Sequence, residues 1–133
     1  MARALALGEA LWESHGRDWR FAVWHGRTLA IRAQLDRLRG EPAQGVEALQ
    51  RAIDRMGQAL AGETSVPGRA HLLAVRSGAL LLRAQLHDQV TLASLNQPQA
   101  ALRDYALAEQ DLRTMLADTA MLAELDRQAV PGD

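Results

Sequence analysis

Four histidines, His15, His25, His71 and His87, are the side chains of this chain best suited to hold a metal or relay a proton. Their spacing serves neither task. No two stand at i and i+4 on one helical stretch, no HExxH or Glu-x-x-His pattern occurs, and His15 falls in a turn. With no cysteine in the chain, thiolate nucleophiles, disulfides and Cys-based zinc sites are excluded. Ser14, Ser65, Ser77 and Ser94 lie outside any GxSxG turn, and Gly26 and Gly78 are isolated within helical sequence, where they let helices approach closely, rather than clustered in a phosphate loop. Carboxylates such as Asp104 and Glu109, or Asp36 and Glu41, show no spacing that demands a catalytic pair. The expectation is a chain that is no enzyme, binds no metal and needs no cofactor, with its histidines solvated or bonded locally.

Two other sets of residues invite a binding role. Arg27, Arg32, Arg76 and Arg83, together with Gln34 and Gln85, place guanidinium forks and amides along two helical stretches, the chemistry that captures an acidic or carboxylate-ended peptide. The plainer alternative is that Arg32 and Arg83 lie on solvated helix faces, pairing with Asp36 and Asp88. In the binding reading, Arg83→Ala costs little stability and abolishes partner capture. Trp12, Trp19, Phe21 and Trp24 hold four of the five aromatics within thirteen residues. They either pack the first helix on its neighbour or form an exposed interface for a partner or a second copy. Trp19 and Phe21 cannot both face one side of a helix, so at least one of them is expected to look outward.

The elements that must position these groups are helices. Ala, Leu, Arg, Gln and Glu dominate, aromatics make up only 4%, and 133 residues suffice for one domain (1–133). Breakers at 15–18, 40–42, 61–68 and 96–98 separate five expected helices at 2–14, 19–39, 43–60, 69–94 and 98–127, ahead of a tail at 130–133. In the second helix, Trp24, Ile31, Leu35 and Leu38 share a face beside a small-residue stripe of Val23, Ala30 and Ala33. In the third, Val46, Leu49, Ala52, Ile53, Met56 and Leu60 follow helical spacing. The fourth shows a wide apolar arc, with Leu72, Val75, Ala79, Leu82, Leu86 and Val90 flanked by Leu73, Leu80, Ala84 and Leu95, as in a helix buried from two sides. The formal net charge of -1, with all 15 cations arginine, argues against non-specific nucleic-acid binding. No apolar run is long enough for a membrane span, and Glu9 interrupts the first one too early for a secretion signal, so a cytoplasmic protein is expected.

The segment RAQL occurs at 32–35 and again at 83–86, each time in a long helix that ends at a Pro-marked junction. Beyond the junctions, Val46, Leu49, Ala52, Met56 and Leu60 match Leu102, Tyr105, Ala108, Leu112 and Leu116 at a constant offset of fifty-six. This is a duplicated helix hairpin, 19–60 and 69–127, behind a leading helix at 1–15. It resembles the tetratricopeptide repeat (TPR): Gly45, Leu49 and Ala52, and again Ala101, Tyr105 and Ala108, fit that family's small–large–small pattern, with Gly40 and Asn96 at the turn. The first helices lack the family's Leu-Gly pair and tyrosine, the units exceed the usual length of about thirty-four residues, and 61–68 is longer than a tight connection. The resemblance implies an all-α fold of antiparallel hairpins stacked as a short α-α solenoid. It further implies a non-catalytic scaffold that binds a peptide or protein partner, as such arrays do within bacterial signalling and regulatory proteins. The alternative is a homodimeric helical bundle joined through the Trp12 to Trp24 region.

Overall fold

The structure, a computed structural model, describes residues 1–88 and 97–129, and these fold as five helices with no strand among them. They are α1 (Ala2–His15), α2 (Trp19–Leu38), α3 (Pro42–Gly62), α4 (Val66–Asp88) and α5 (Pro98–Ala129). Asp18 caps α2 by accepting the Arg20 N–H at 3.0 Å. Gly40 takes φ +75°, which frees the chain to reverse into α3, whose first residue is Pro42. The expected loop over 61–68 shortens to residues 63–65: α3 runs through Gly62 and α4 begins at Val66. Ser65 Oγ accepts the Gly68 N–H at 3.1 Å, Glu63 accepts the Ser65 N–H at 2.9 Å, and Pro67 sits in a first turn that needs no donor from it. A Pro-Gly pair that reads as a loop thus starts a helix. Val90, Ser94, Leu95, Asn96 and the tail at 130–133 lie outside the described residues.

The helices pack in a simple order. α2 and α3 form one antiparallel hairpin, α4 lies against both of them, α5 packs on α4, and α1 packs on α2. α4 is therefore the element with neighbours on two sides, and Leu72, Leu73, Val75, Ala79, Leu80, Leu82, Ala84 and Leu86 are all buried, as its wide apolar arc predicts. On α3, Leu49, Ala52, Met56 and Leu60 are buried and Val46 and Ile53 half-buried. Each large aliphatic side chain withdrawn in this way contributes about 1.5–3 kcal/mol. One end of the core gathers Val23, Met56, Leu60, Leu72 and Val75; the other gathers Leu29, Ala33, Leu49, Leu82 and Leu86.

On α2 it is the small-residue stripe that meets the core: Val23 and Ala33 are buried with Ala22, Gly26 and Leu29, while Trp24, Ile31 and Leu38 on the neighbouring face are exposed, Ile31 by 52%. Close approach decides it. A Cβ placed on Gly26 would lie 2.9 Å from Val75 Cγ1 and 3.0 Å from Met56 Cε, so at this crossing α2 approaches α3 and α4 through a glycine, with Leu29 filling the core one turn further on.

Candidate functional site

The two leading helices of the hairpins, α2 and α4, flank a groove of about 470 Å³. Arg27, Ala30, Ile31 and Gln34 line it from α2; Ala74, Val75, Gly78, Ala79, Leu82 and Gln85 line it from α4. Its walls are mostly apolar, with polar groups at intervals, the make-up of a recognition site. A Cβ on Gly78 would meet no heavy atom within 4 Å, so this glycine leaves space in the groove and does not bring two helices together, contrary to expectation. Among the described residues no carboxylate lines the groove. Arg27 is exposed on one wall. About 15 Å further along α2, the buried Arg37 donates from Nη1 to Gln85 Oε1 at 3.4 Å, while its Nε and Nη2 find no partner among the described residues. Apolar walls with the Arg27 guanidinium on one side suit an amphipathic ligand that bears a carboxylate.

Three of the six polar residues expected to share this site, Arg27, Gln34 and Gln85, do so; Arg32, Arg76 and Arg83 do not. Residues two apart on a helix point about 200° away from each other, so in each RAQL copy the glutamine faces the groove and the arginine faces elsewhere. Arg32 pairs with Asp36 at 3.0 Å. Arg83 makes a two-pronged contact with Asp104, Nε at 2.9 Å and Nη2 at 2.7 Å, and reaches Gln50 as well. Arg76 grips Asp111 in the same way at 2.7 and 2.6 Å, and Arg69 meets Asp118 at 3.2 Å. Arginines at 69, 76 and 83 thus face aspartates at 118, 111 and 104, a ladder with seven-residue rungs that joins α4 to α5. These carboxylates have a structural use that the sequence reading missed. Their heptad spacing opposite a heptad of arginines was the signal.

The aromatic group turns inward. Trp12 and Trp19 are half-buried against the core, Phe21 lies between Trp12 at 6.4 Å and Trp24 at 5.6 Å, and only Trp24 is exposed. The stack encloses His25, fully buried and parallel to Phe21, which corrects the expectation of a solvated histidine. Arg55 donates to His25 Nε2, which fixes the proton on Nδ1, against Gly8 of α1. Burial first, then the charges of Arg55 and Arg51, hold this imidazole below its ordinary value despite the opposing field of Glu9. Glu9 itself is held low by its hydrogen bond from Arg55, aided by the charges of Arg55 and Arg51. His87 is also buried, beside Asp104 at 3.3 Å, whereas His15 and His71 are exposed and bonded locally, to Ser14 and to the Pro67 carbonyl. Among the described residues no three His, Asp or Glu side chains gather into a ligand set. Nor is any helix among them long and apolar enough to cross a membrane. Compared with known proteins, the chain matches no family model, no curated protein and no solved structure.

Proposed function

We propose that this chain is a non-catalytic protein-interaction module whose α2–α4 groove takes an amphipathic peptide segment bearing a carboxylate. The observation that carries this reading is the groove itself, mostly apolar, with no carboxylate among the described residues that line it, and with Arg27, Gln34 and Gln85 as its polar groups, the last held by the Arg37 guanidinium. The packing order supports kinship with tetratricopeptide-like arrays: the leading helices α2 and α4 lie side by side, and α3, the second helix of one hairpin, packs on α4, the first of the next. In such an array the leading helices face the ligand. The module then holds its partner in the cytoplasm, within a bacterial signalling or regulatory assembly, and leaves it chemically unchanged.

Selection of displayed random peptides on the folded chain tests this. The enriched sequences should combine Asp or Glu with two or three large apolar residues at helical spacing. Their binding should fall on Arg27→Glu, which reverses the charge, and on Gly78→Met, which fills open groove space while leaving the core untouched. A folded chain that enriches no such sequence, or peptides that bind Gly78→Met as well as the parent, would overturn the reading. An interface through Trp12, Trp19 and Phe21 draws little support from the structure, because those rings pack between α1, α2 and the core.

A further inference from the structure

α1 is the helix least committed to the core. Of its 14 residues only Gly8 is buried, while Leu5, Leu11 and Trp12 are half-buried. What holds it converges on one imidazole. The ring of His25, from α2, lies directly against the Gly8 backbone, where a Cβ would overlap Nδ1. Trp12 packs beside the same ring at 5.7 Å. Arg55, from α3, donates to His25 Nε2 and to both carboxylate oxygens of Glu9, and its guanidinium lies over the Trp12 ring at 5.1 Å. Arg51 adds a contact to Glu9 at 3.1 Å. Gly8, Glu9 and Trp12 therefore rest on His25 and its partner Arg55 as a common support.

That support requires a neutral imidazole. Nε2 accepts from Arg55, so the ring proton sits on Nδ1, which faces α1 and has no acceptor among the described residues. A second proton must go on Nε2, where it would point at the Arg55 donor and add a cation beside Arg55 and Arg51 in a site closed to water. The charged groups facing the ring are Glu9 from α1 and these two arginines from α3; Phe21 and Trp24 of α2 and Trp12 of α1 complete its surroundings, with His15 against the Phe21 ring at 5.8 Å. Glu9 is the balancing charge, but both its oxygens already accept from the arginines. Moving α1 away opens the ring to water and separates the two donors. The cores need not change, since α2, α3 and α4 build them and Trp12 and Leu5 touch only their margins. We propose that α1 is an acid-released helix: protonation of His25 detaches it from α2 and α3 and uncovers Phe21 and His25, while α2 to α5 stay folded.

Amide hydrogen exchange of the full chain at about pH 7.5 and about pH 5, each corrected for the intrinsic exchange rate, provides the test. A detached His25 regains its ordinary value near 6.5, so opening of α1 is favoured as pH falls below that point. Protection of the α1 amides should drop about tenfold at the lower pH, while that of α3 holds. His25→Gln, neutral throughout, should leave α1 equally protected at both pH values, and His15→Gln should respond as the parent does. If the glutamine fails to hold α1 even at the higher pH, the ring carbon shifts of His25 in the parent decide, because α1 must open along that titration. Protection of α1 that survives the lower pH, α1 and α3 opening together, acid opening of a His25→Gln chain that is closed at the higher pH, loss of the response in His15→Gln, or opening that departs from the His25 titration would each overturn the proposal.

Discussion

In the first hairpin α2 crosses its neighbours at Gly26, where a Cβ would press on the side chains of Val75 and Met56. In the second, α4 meets α5 across three Arg–Asp pairs set seven residues apart. The first seam is fixed by shape, because a side chain at Gly26 would have to displace Val75 or Met56. The second is fixed by charge: sliding α5 by one turn would strand Asp104 and Asp111, both buried, away from their only matching guanidinium forks among the described residues. Position in the stack accounts for the contrast. α2 and α3 share a continuous core with α4, while α5 touches the stack on one side and gains its register from polar pairs at the edge of that contact.

The largest effect expected from breaking this contrast is at the ladder. Arg83→Ala leaves the buried Asp104 with only His87 beside it and should cost about 3 kcal/mol, measured by urea unfolding. Arg69→Ala, at the half-buried end of the ladder with one 3.2 Å contact to Asp118 and a long one to the Leu60 carbonyl, should cost about 1 kcal/mol or less. The binding reading of the sequence has Arg83→Ala nearly neutral, so the size of this loss separates the two assignments. At the other seam, Gly26→Ala should destabilise by about 1–2 kcal/mol through overpacking, despite the gain in helix propensity. The same change at Gly78, which has open space around it, should stabilise by about 0.5–1 kcal/mol. Thermal unfolding of the pair should give shifts of opposite sign.

A smaller effect follows from His25, whose contribution belongs to the first hairpin and α1. Its folded value lies below the 6.5 of the free imidazole, so the neutral form is the one the fold favours. That stability is complete above about pH 6.5 and is lost as pH falls through the lower, folded value; the paired carboxylate of Glu9 acts in the same direction at more acidic pH. Melting temperatures recorded from pH 7.5 down to 5 should decline, and His25→Gln should flatten the decline.

All five helices were legible in the sequence, as were the buried faces of α3 and α4, because large aliphatics at helical spacing leave one answer there. The face of α2 was not. Its bulkier apolar residues, Trp24, Ile31 and Leu38, compete with the small-residue stripe for the core until the closeness of α3 and α4 at Gly26 is known. Half of the groove was legible for a related reason. Gln34 and Gln85 stand out through the repeat, but their RAQL arginines were grouped with them although two-residue spacing turns them away. The burial of His25 had no local signal, since it depends on Gly8 arriving from another helix and Arg55 from a third.

The chain has two isoleucines, and they report on different surfaces: Ile31 lines the α2–α4 groove and Ile53 the opposite cleft between α3 and α5. Methyl-labelled isoleucine spectra recorded while a selected acidic amphipathic peptide is added therefore test the groove directly. The account predicts that the Ile31 δ1-methyl signal moves to saturation while Ile53 stays in place. A shift confined to Ile53, or saturating binding that leaves Ile31 unmoved, would contradict it.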